Sequence, residues 1–363
     1  MGQPRGGCGK AMLMNSSFWR SKRVLVTGHT GFKGSWLCLW LEELGAEVCG
    51  FSLKPAAGPN LFAEADVGRD IKNTFADIRD QNAIYEAIAT FQPEIVIHMA
   101  AQPLVRRSYQ DPVDTYSTNI MGTVNLLEAV RQFEGVRAVV NVTTDKCYEN
   151  KEWVWPYRED EPLGGHDPYS SSKACAELVT QAYRKSFYHS SNTALATARA
   201  GNVIGGGDWS DDRLIPDILL AFQEKNPVVI RNPQAIRPWQ HVLESLHGYL
   251  LLAENLFNEG HSFSEAWNFG PRDEDAKSVG WIMDEISLRW GEDASWVNDE
   301  KDNPHEATYL KLDISKAKRR LGWSPKWNLD QTLDHIVSWH KGWLQKRSAR
   351  ELCLEQIQAF KIN

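Results

Sequence analysis

An apolar run, Val24-Leu25-Val26, leads straight into Thr27-Gly28-His29-Thr30-Gly31-Phe32-Lys33-Gly34, and that loop gives way to Trp36, Leu37, Leu39, Trp40, Leu41 and Leu44. A buried strand that turns into an amphipathic helix through a glycine loop leaves few folds open. In such a turn Gly28 permits the tight bend, Gly31 lets the backbone approach a diphosphate, and Gly34 lets the helix pack closely on the strand. The helix N-terminus then faces the negative charge. The spacing is Gly-x2-Gly-x2-Gly, not the G-x-G-x-x-G of many dinucleotide folds, and three glycines in eight residues also suit a flexible loop. Position directly after the first strand favours phosphate binding.

The same alternation continues along the chain. Glu47 to Phe51 reads as a second strand, ending in Ser52-Leu53-Lys54 without the acidic residue often placed there for an adenosine ribose. Asp80 suits a helix cap, while Asp77, with Ile78, closes a short strand and is a candidate to meet adenine. Ile95-Val96-Ile97-His98 is a β-branched strand with Ala100 and Ala101 at its carboxyl end, where ligands gather in an open parallel sheet. Helical periodicity over Ser117 to Arg131 and a strand over Ala138 to Val142 follow. Strand and helix in alternation predict an α/β fold with a parallel sheet.

Two further stretches carry chemistry. Val142-Thr143-Thr144-Asp145-Lys146 ends a buried strand; the Asp serves there as a turn former or as a functional carboxyl. Tyr169-Ser170-Ser171-Ser172-Lys173 opens a helix and puts a phenol and an ammonium on one face. The field of Lys173 favours the phenolate and is expected to lower a pKa of about 10. Beyond Arg199 the alternation weakens. A glycine loop at 205–207, a helix over Arg213 to Gln223, and the groups Arg231-Asn232-Pro233 and Arg237-Pro238-Trp239-Gln240-His241 bring guanidiniums together with aromatics. These suit phosphate oxygens and a base, and equally a solvated arginine loop. Asp313 to Gly322 and Leu329 to Lys346 read as helices, and the segment from Arg347 as a peripheral tail.

Composition excludes several classes. A net charge of −7 and a pI near 5.8 argue against nucleic acid or an anionic membrane as the main partner. The cysteines at 8, 38, 49, 147, 175 and 353 form no Cys-x-x-Cys pair, which points to reduced thiols in a cytoplasm. His335 and His340, five apart, do not share a helical face, so no metal set emerges. No apolar run reaches transmembrane length. Residues 1–13 read as a leader ahead of a natural start at Met14. The expected layout is a dinucleotide-binding domain over 14–200, a mainly substrate-binding domain over 201–346 with some later segments returning to the first, and a tail over 347–363.

These motifs resemble the extended short-chain dehydrogenase/reductase family, whose T-G-x-x-G-x-x-G falls at Thr27 to Gly34 and whose Y-x-x-x-K falls at Tyr169 to Lys173. The resemblance spans roughly Arg23 to Lys346. Within the family, Thr144-Asp145 ahead of the tyrosine is similar to the nucleotide-sugar 4,6-dehydratases. Gln102-Pro103-Leu104-Val105-Arg106, Arg199 to Trp209 and Arg237 to Val242 are similar to those acting on CDP-glucose. The resemblance implies a Rossmann-type doubly wound sheet, a smaller mixed C-terminal domain, NAD as cofactor, and a homodimer or dimer of dimers.

It also implies roles. NAD would contact Gly28, Thr30, Gly31, Phe32, Lys33, Gly34, Asp77, Ile78, Ala100, Ala101, Gln102, Thr143, Tyr169 and Lys173. The nucleotide sugar would contact Arg106, Thr144, Asn202, Arg213, Arg231, Asn232, Arg237 and Gln240. Thr144 would bond the sugar 4-hydroxyl, Tyr169 would be the base, Lys173 its orienting cation and Asp145 the acid. Lys146 stands where relatives carry a glutamate as base for C5, which leaves that base open. The implied product is a 4-keto-6-deoxy sugar nucleotide, a precursor of deoxysugars in cell-surface glycans. NAD over NADP rests on the resemblance, because Lys54 or Lys33 is placed to attract a 2′-phosphate. A nucleotide-sugar 4-epimerase, which needs no acid at Asp145, and a non-catalytic dinucleotide-binding regulator are the alternatives.

Overall fold

The short apolar runs bounded by turn residues become the strands of one parallel sheet. The computed structural model describes residues 15–291, 294–298 and 310–362, so the leader assigned to 1–13 lies outside the described residues. The strands are β1 (Arg23–Thr27), β2 (Glu47–Ser52), β3 (Lys72–Phe75), β4 (Ile95–His98), β5 (Ala138–Val142), β6 (Ala194–Ala200), β7 (Asn202–Ile204), β8 (Val228–Ile230), β9 (Ile236–His241), β10 (Ala266–Phe269), β11 (Ala276–Ser278) and β12 (Trp296–Asn298). The longer helices are α1 (Phe32–Glu43), α2 (Gln81–Phe91), α3 (Gly122–Arg131), α4 (Pro168–Tyr183), α5 (Leu214–Gln223), α6 (Val242–Glu259), α7 (Val279–Trp290), α8 (Leu329–Leu344) and α9 (Ala349–Ile362).

Seven strands lie in the order β10-β6-β5-β4-β1-β2-β3, every neighbouring pair parallel. Helices cover both faces, which is why the central strands are apolar without alternation. On one face Val24, Val26, Ile95 and Ile97 pack with α1, α6 and α9. On the other, Leu25, Val96 and Val139 pack with α2 and α3. Helix starts are marked as anticipated: Asp80 caps α2 by accepting from the Asn82 and Ala83 amides at 3.0 Å.

A smaller body follows β6. It holds a three-stranded sheet, β11-β9-β7, and a β12-β8 pair. A separate core packs Ile215, Ile218 and Phe222 of α5 against Met283 of α7 and Leu333 of α8. Between these pieces the chain returns to the large sheet, with β10 at its edge and α6 buried on nearly all sides against β5 and β6.

One expectation is overturned. The segment after Arg347 is not a peripheral tail: α9 places Leu352, Cys353, Ile357 and Phe360 in the main core against α1. Arg350 is ion-paired to Glu42 and Asp70. Its polar residues concealed an apolar stripe at helical spacing, so composition misread what periodicity would have caught. Among the described residues, no helix is long and apolar enough to cross a membrane.

Candidate active site

The glycine loop forms a cradle that side chains would fill. A Cβ on Gly28, which has φ +76°, would lie 2.8 Å from the Ala100 nitrogen, and one on Gly34 would lie 2.1 Å from the Gly28 carbonyl oxygen. Gly31 is the N-cap of α1, where no side chain satisfies the first amides. Exposed amides at the start of a 12-residue helix, reached over glycine, fit the diphosphate of a dinucleotide. Ala100 is fixed by its amide donating to Thr27 Oγ1 at 3.1 Å, and the Phe32 ring reaches the backbone of Gly205. Thr30 Oγ1 sits 2.8 Å from Ser52 Oγ, closing the end of β2.

Other residues assigned to the cofactor are more constrained. The Asp77 carboxyl is lowered by its hydrogen bonds from Arg79, whose guanidinium also pairs with Asp114. Ile78 is buried against Gly122. The Gln102 side chain is committed internally, donating to Thr115 Oγ1 at 2.8 Å and accepting from the Leu104 amide. Ala101, half-buried, links this loop to Ala100. Lys33 turns inward instead: its Nζ lies 3.2 Å from the Tyr249 hydroxyl.

The catalytic candidates converge where β5 ends. Thr144 opens a tight turn over Asp145 to Cys147, donates to Asp145 Oδ1 at 3.0 Å, and is hydrogen-bonded to the Tyr169 phenol. Asp167 caps α4 on the Ser170 amide at 2.9 Å, setting Tyr169 and Lys173 one turn apart. Lys173 Nζ donates to the Val142 carbonyl at 3.3 Å and is pushed down to about 8 by burial, against the pull of Glu177. Asp145 is 1% exposed, and burial raises its carboxyl above the usual range despite Lys146, Thr144 and Arg237. Its Oδ2 has no hydrogen-bond partner and lies 2.8 Å from where a Gly201 Cβ would stand. The half-buried Lys146 donates its amide to Thr144 Oγ1 at 3.4 Å.

The expectation for the phenol is corrected. Burial pushes Tyr169 up to about 12, outweighing the lowering from Thr144 and Arg213. Removing an anionic phenolate from water costs more than the Thr144 hydroxyl and the Arg213 guanidinium return.

A support beneath the site was not legible. Glu177 receives Arg199 at 2.9 and 2.8 Å and the hydroxyls of Thr143 and Thr197. Arg199 reaches on to Tyr148 at 2.7 Å, and Tyr148 to Asn268 Oδ1 at 2.7 Å. The four groups come from α4, β6, the β5 turn and β10. Thr143 therefore turns its hydroxyl into this network, and its amide donates to the Ala198 carbonyl. Sequence offered one signal, Glu177 four residues after Lys173 on the same face.

On the side of the smaller body, Arg106 pairs with Asp212, and Arg213 with Asp208 at 3.1 Å. Arg237 on β9 lies within the electrostatic reach of Asp145, and Arg213 within that of Tyr169 and Lys33. Asn202 of β7 is registered against Trp239. Gln240 is buried and donates to the Phe269 carbonyl at 2.9 Å, joining β9 to β10. Arg231 is exposed just past β8, and the carbonyl of Asn232 accepts from Ala235. Among the described residues no cluster has the makings of a metal site; His335 stacks on Trp327, while His340 tilts towards Trp290 and Trp343.

The family described as GDP-mannose 4,6 dehydratase matches residues 25–336. The chain is 58% identical over 338 residues to a CDP-glucose 4,6-dehydratase of Salmonella typhimurium, covering 92% of this chain and 94% of that one. It is 30% identical to a probable dTDP-glucose 4,6-dehydratase of Sinorhizobium fredii, over 88% and 94% of the two chains. Among solved structures it is similar to a dTDP-glucose 4,6-dehydratase of Streptomyces venezuelae with NAD and TYD bound, at a TM-score of 0.74 and 25% identity, covering 88% and 98% of the two chains. A UDP-glucose 4-epimerase of Thermotoga maritima with UDP-glucose shares the fold, at a TM-score of 0.77 and 24% identity, covering 89% and 99%.

Proposed function

The chain belongs to the GDP-mannose 4,6 dehydratase family, within the extended short-chain dehydrogenases/reductases, and we infer that it is a lyase converting CDP-D-glucose to CDP-4-dehydro-6-deoxy-D-glucose and water. The observation that carries the reading is the buried carboxyl of Asp145, joined through Thr144 to Tyr169. An epimerase has no use for an acid there. NAD, when bound, supplies an acceptor for hydride from C4 and a donor of hydride to C6. The glycine cradle and the uncapped start of α1 hold its diphosphate.

The residues then divide the proton chemistry. Tyr169, bonded to Thr144 and flanked by Lys173, takes the proton of the sugar 4-hydroxyl. A ketone at C4 acidifies the C5 proton. Lys146 takes that proton or holds the enolate charge, and Asp145 protonates O6 so that water departs. Arg213, Arg231 and Arg237, with Asn202, Asn232 and Gln240, surround the nucleotide diphosphate from the smaller body, and Arg106 reaches it from the segment after β4. Thr143 and Gln102 position the strand ends, and Asp77 and Ile78 flank the adenosine.

The protein works in the cytoplasm, where it feeds deoxysugars to cell-surface glycans such as O-antigen. It assembles as a homodimer through the exposed apolar side chains of Tyr109, Met121, Leu178 and Phe187, on helices packed beside one another. Incubation with CDP-glucose and NAD tests the reaction: a 4-keto-6-deoxy product supports it, and CDP-galactose or no turnover overturns it. Sedimentation of Leu178→Glu tests the dimer, a monomer being expected.

A further inference from the structure

The turn that carries Thr144, Asp145 and Lys146 holds itself weakly. Three bonds inside it, from the Lys146 amide to Thr144 Oγ1, from the Cys147 amide to the Thr144 carbonyl and from the Tyr148 amide to the Asp145 carbonyl, are each 3.4 Å long. That is beyond the usual span of an N–H···O bond. Both residues that flank the turn are instead held from outside by short bonds. Ahead of it, Thr143 donates its hydroxyl to Glu177 Oε1 at 2.5 Å and its amide to the Ala198 carbonyl at 2.9 Å. Behind it, the Tyr148 hydroxyl accepts from Arg199 Nη1 at 2.7 Å and donates to Asn268 Oδ1 at 2.7 Å. One ion pair, Glu177–Arg199, therefore grips the turn at both ends.

The same pair is tied to the catalytic helix. Tyr169, Lys173 and Glu177 are spaced by fours on α4 and share a face. Lys173 donates to the carbonyl of Val142, the residue before Thr143. The side chains of Arg199 and Glu177 are 4% and 3% exposed, and well-packed apolar side chains often match the stability of a pair buried so deeply. Apolar packing fills volume, whereas a guanidinium fork fixes directions: Nε and Nη2 reach Glu177, and Nη1 reaches Tyr148 and the Glu159 carbonyl. We propose that Glu177 and Arg199 are positioning residues that set Thr144, Asp145 and Lys146 against Tyr169, a role in catalysis separate from what the pair contributes to stability. They act through the backbone of the turn. The proposal rests on the dehydratase reading above. With both flanks released, the turn keeps only its own long bonds, and a displacement of about 1 Å at the reacting groups costs roughly a hundredfold in rate.

The test uses the Glu177→Met, Arg199→Met double variant, which removes both charges, and Tyr148→Phe, which keeps the ion pair and releases only the back of the turn. In the full chain without ligands, hydrogen exchange read by mass spectrometry should be about tenfold faster over residues 143–148 of the double variant, relative to β4 and α3, whose amides report general loosening. With CDP-glucose and NAD, kcat should fall roughly a hundredfold in the double variant and roughly tenfold in Tyr148→Phe. The KM for CDP-glucose and the Kd for NAD, titrated directly, should each move less than about threefold. Chemical denaturation should place the double variant above Glu177→Met in stability, with no gain in kcat. Recovery of kcat along with stability, exchange over 143–148 no faster than over β4 and α3, loss of NAD affinity as large as the loss of kcat, or native turnover by Tyr148→Phe overturns the proposal. If the unaltered protein is inert toward CDP-glucose, the substrate assignment falls, and the exchange measurement still decides whether the pair holds the turn.

Discussion

Asp145 must be a carboxylic acid near neutral pH to protonate a leaving hydroxyl, and its own neighbours work against that. Lys146, Thr144 and Arg237 all favour the carboxylate, and burial at the end of β5 overrides them. Asp145→Asn keeps the shape and removes the proton. It should let C4 oxidation proceed while reduced nicotinamide accumulates and product formation falls by roughly two to four orders of magnitude, as stopped-flow absorbance with product analysis would show. An equal loss of the first hydride transfer would mean Asp145 only holds the site together. Lys146→Met should slow exchange of C5 with solvent deuterium and spare C4 oxidation; unchanged exchange removes Lys146 from the step. Lys33 is turned towards Tyr249, whereas Lys54 stands exposed just past β2. NAD, the cofactor bound in the similar dTDP-glucose 4,6-dehydratase, should bind more tightly than NADP in a direct titration, and the reverse order would show Lys54 drawing the 2′-phosphate.

At the scale of elements, the glycine loop shows why a local motif was readable. Gly34 faces the Gly28 carbonyl so closely that a single methyl forces β1 and α1 apart. Gly34→Ala should destabilise the protein by about 1–3 kcal/mol and abolish measurable NAD binding; retention of native affinity would mean the loop is not the cradle. The Glu177 network shows the opposite case. Its members lie on four elements and meet only when the sheet is built, so no window of sequence contains the ion pair. Glu177→Met leaves a buried guanidinium without its partner and should cost about 3–5 kcal/mol in chemical denaturation. An Arg199→Met, Glu177→Met double variant should recover part of the loss.

For the whole molecule, burial of histidines sets the response to acid. Burial holds His29 and His340 down to about 4, and His98 and His247 to about 3. The unfolded chain takes up their protons near pH 6.5 and the folded chain does not. Their contribution to stability is therefore complete above that pH and is lost as pH falls, about 2 kcal/mol each by pH 5. Glu244, raised by burial to about 7, acts in the other direction, its contribution fading as pH rises from 4.5. Asp145 and other carboxyls raised by burial side with Glu244, and His241 and His335 side with the four histidines; the histidines of the unfolded chain take up protons across this window, so the melting temperature should drop between pH 7 and pH 5. A flat profile would show that these histidines are hydrated in solution. Removal of residues 348–363 takes the apolar face of α9 off α1 and should lower stability throughout, contrary to what a peripheral tail would do.

The cradle, the succession of strands and helices in the first half, the cap at Asp80 and the one-face placement of Tyr169 and Lys173 were legible in the sequence, because each rests on spacing within about one turn or one strand. The direction of the Tyr169 shift, the inward turn of Lys33, the commitment of the Thr143 and Gln102 side chains, the Glu177–Arg199 support and the docking of α9 were decided only by the tertiary structure. Each depends on desolvation or on a partner more than a helix away in the chain. A local pattern carries periodicity and spacing, whereas the burial that sets a pKa or orients a charge exists only after distant segments have closed over it.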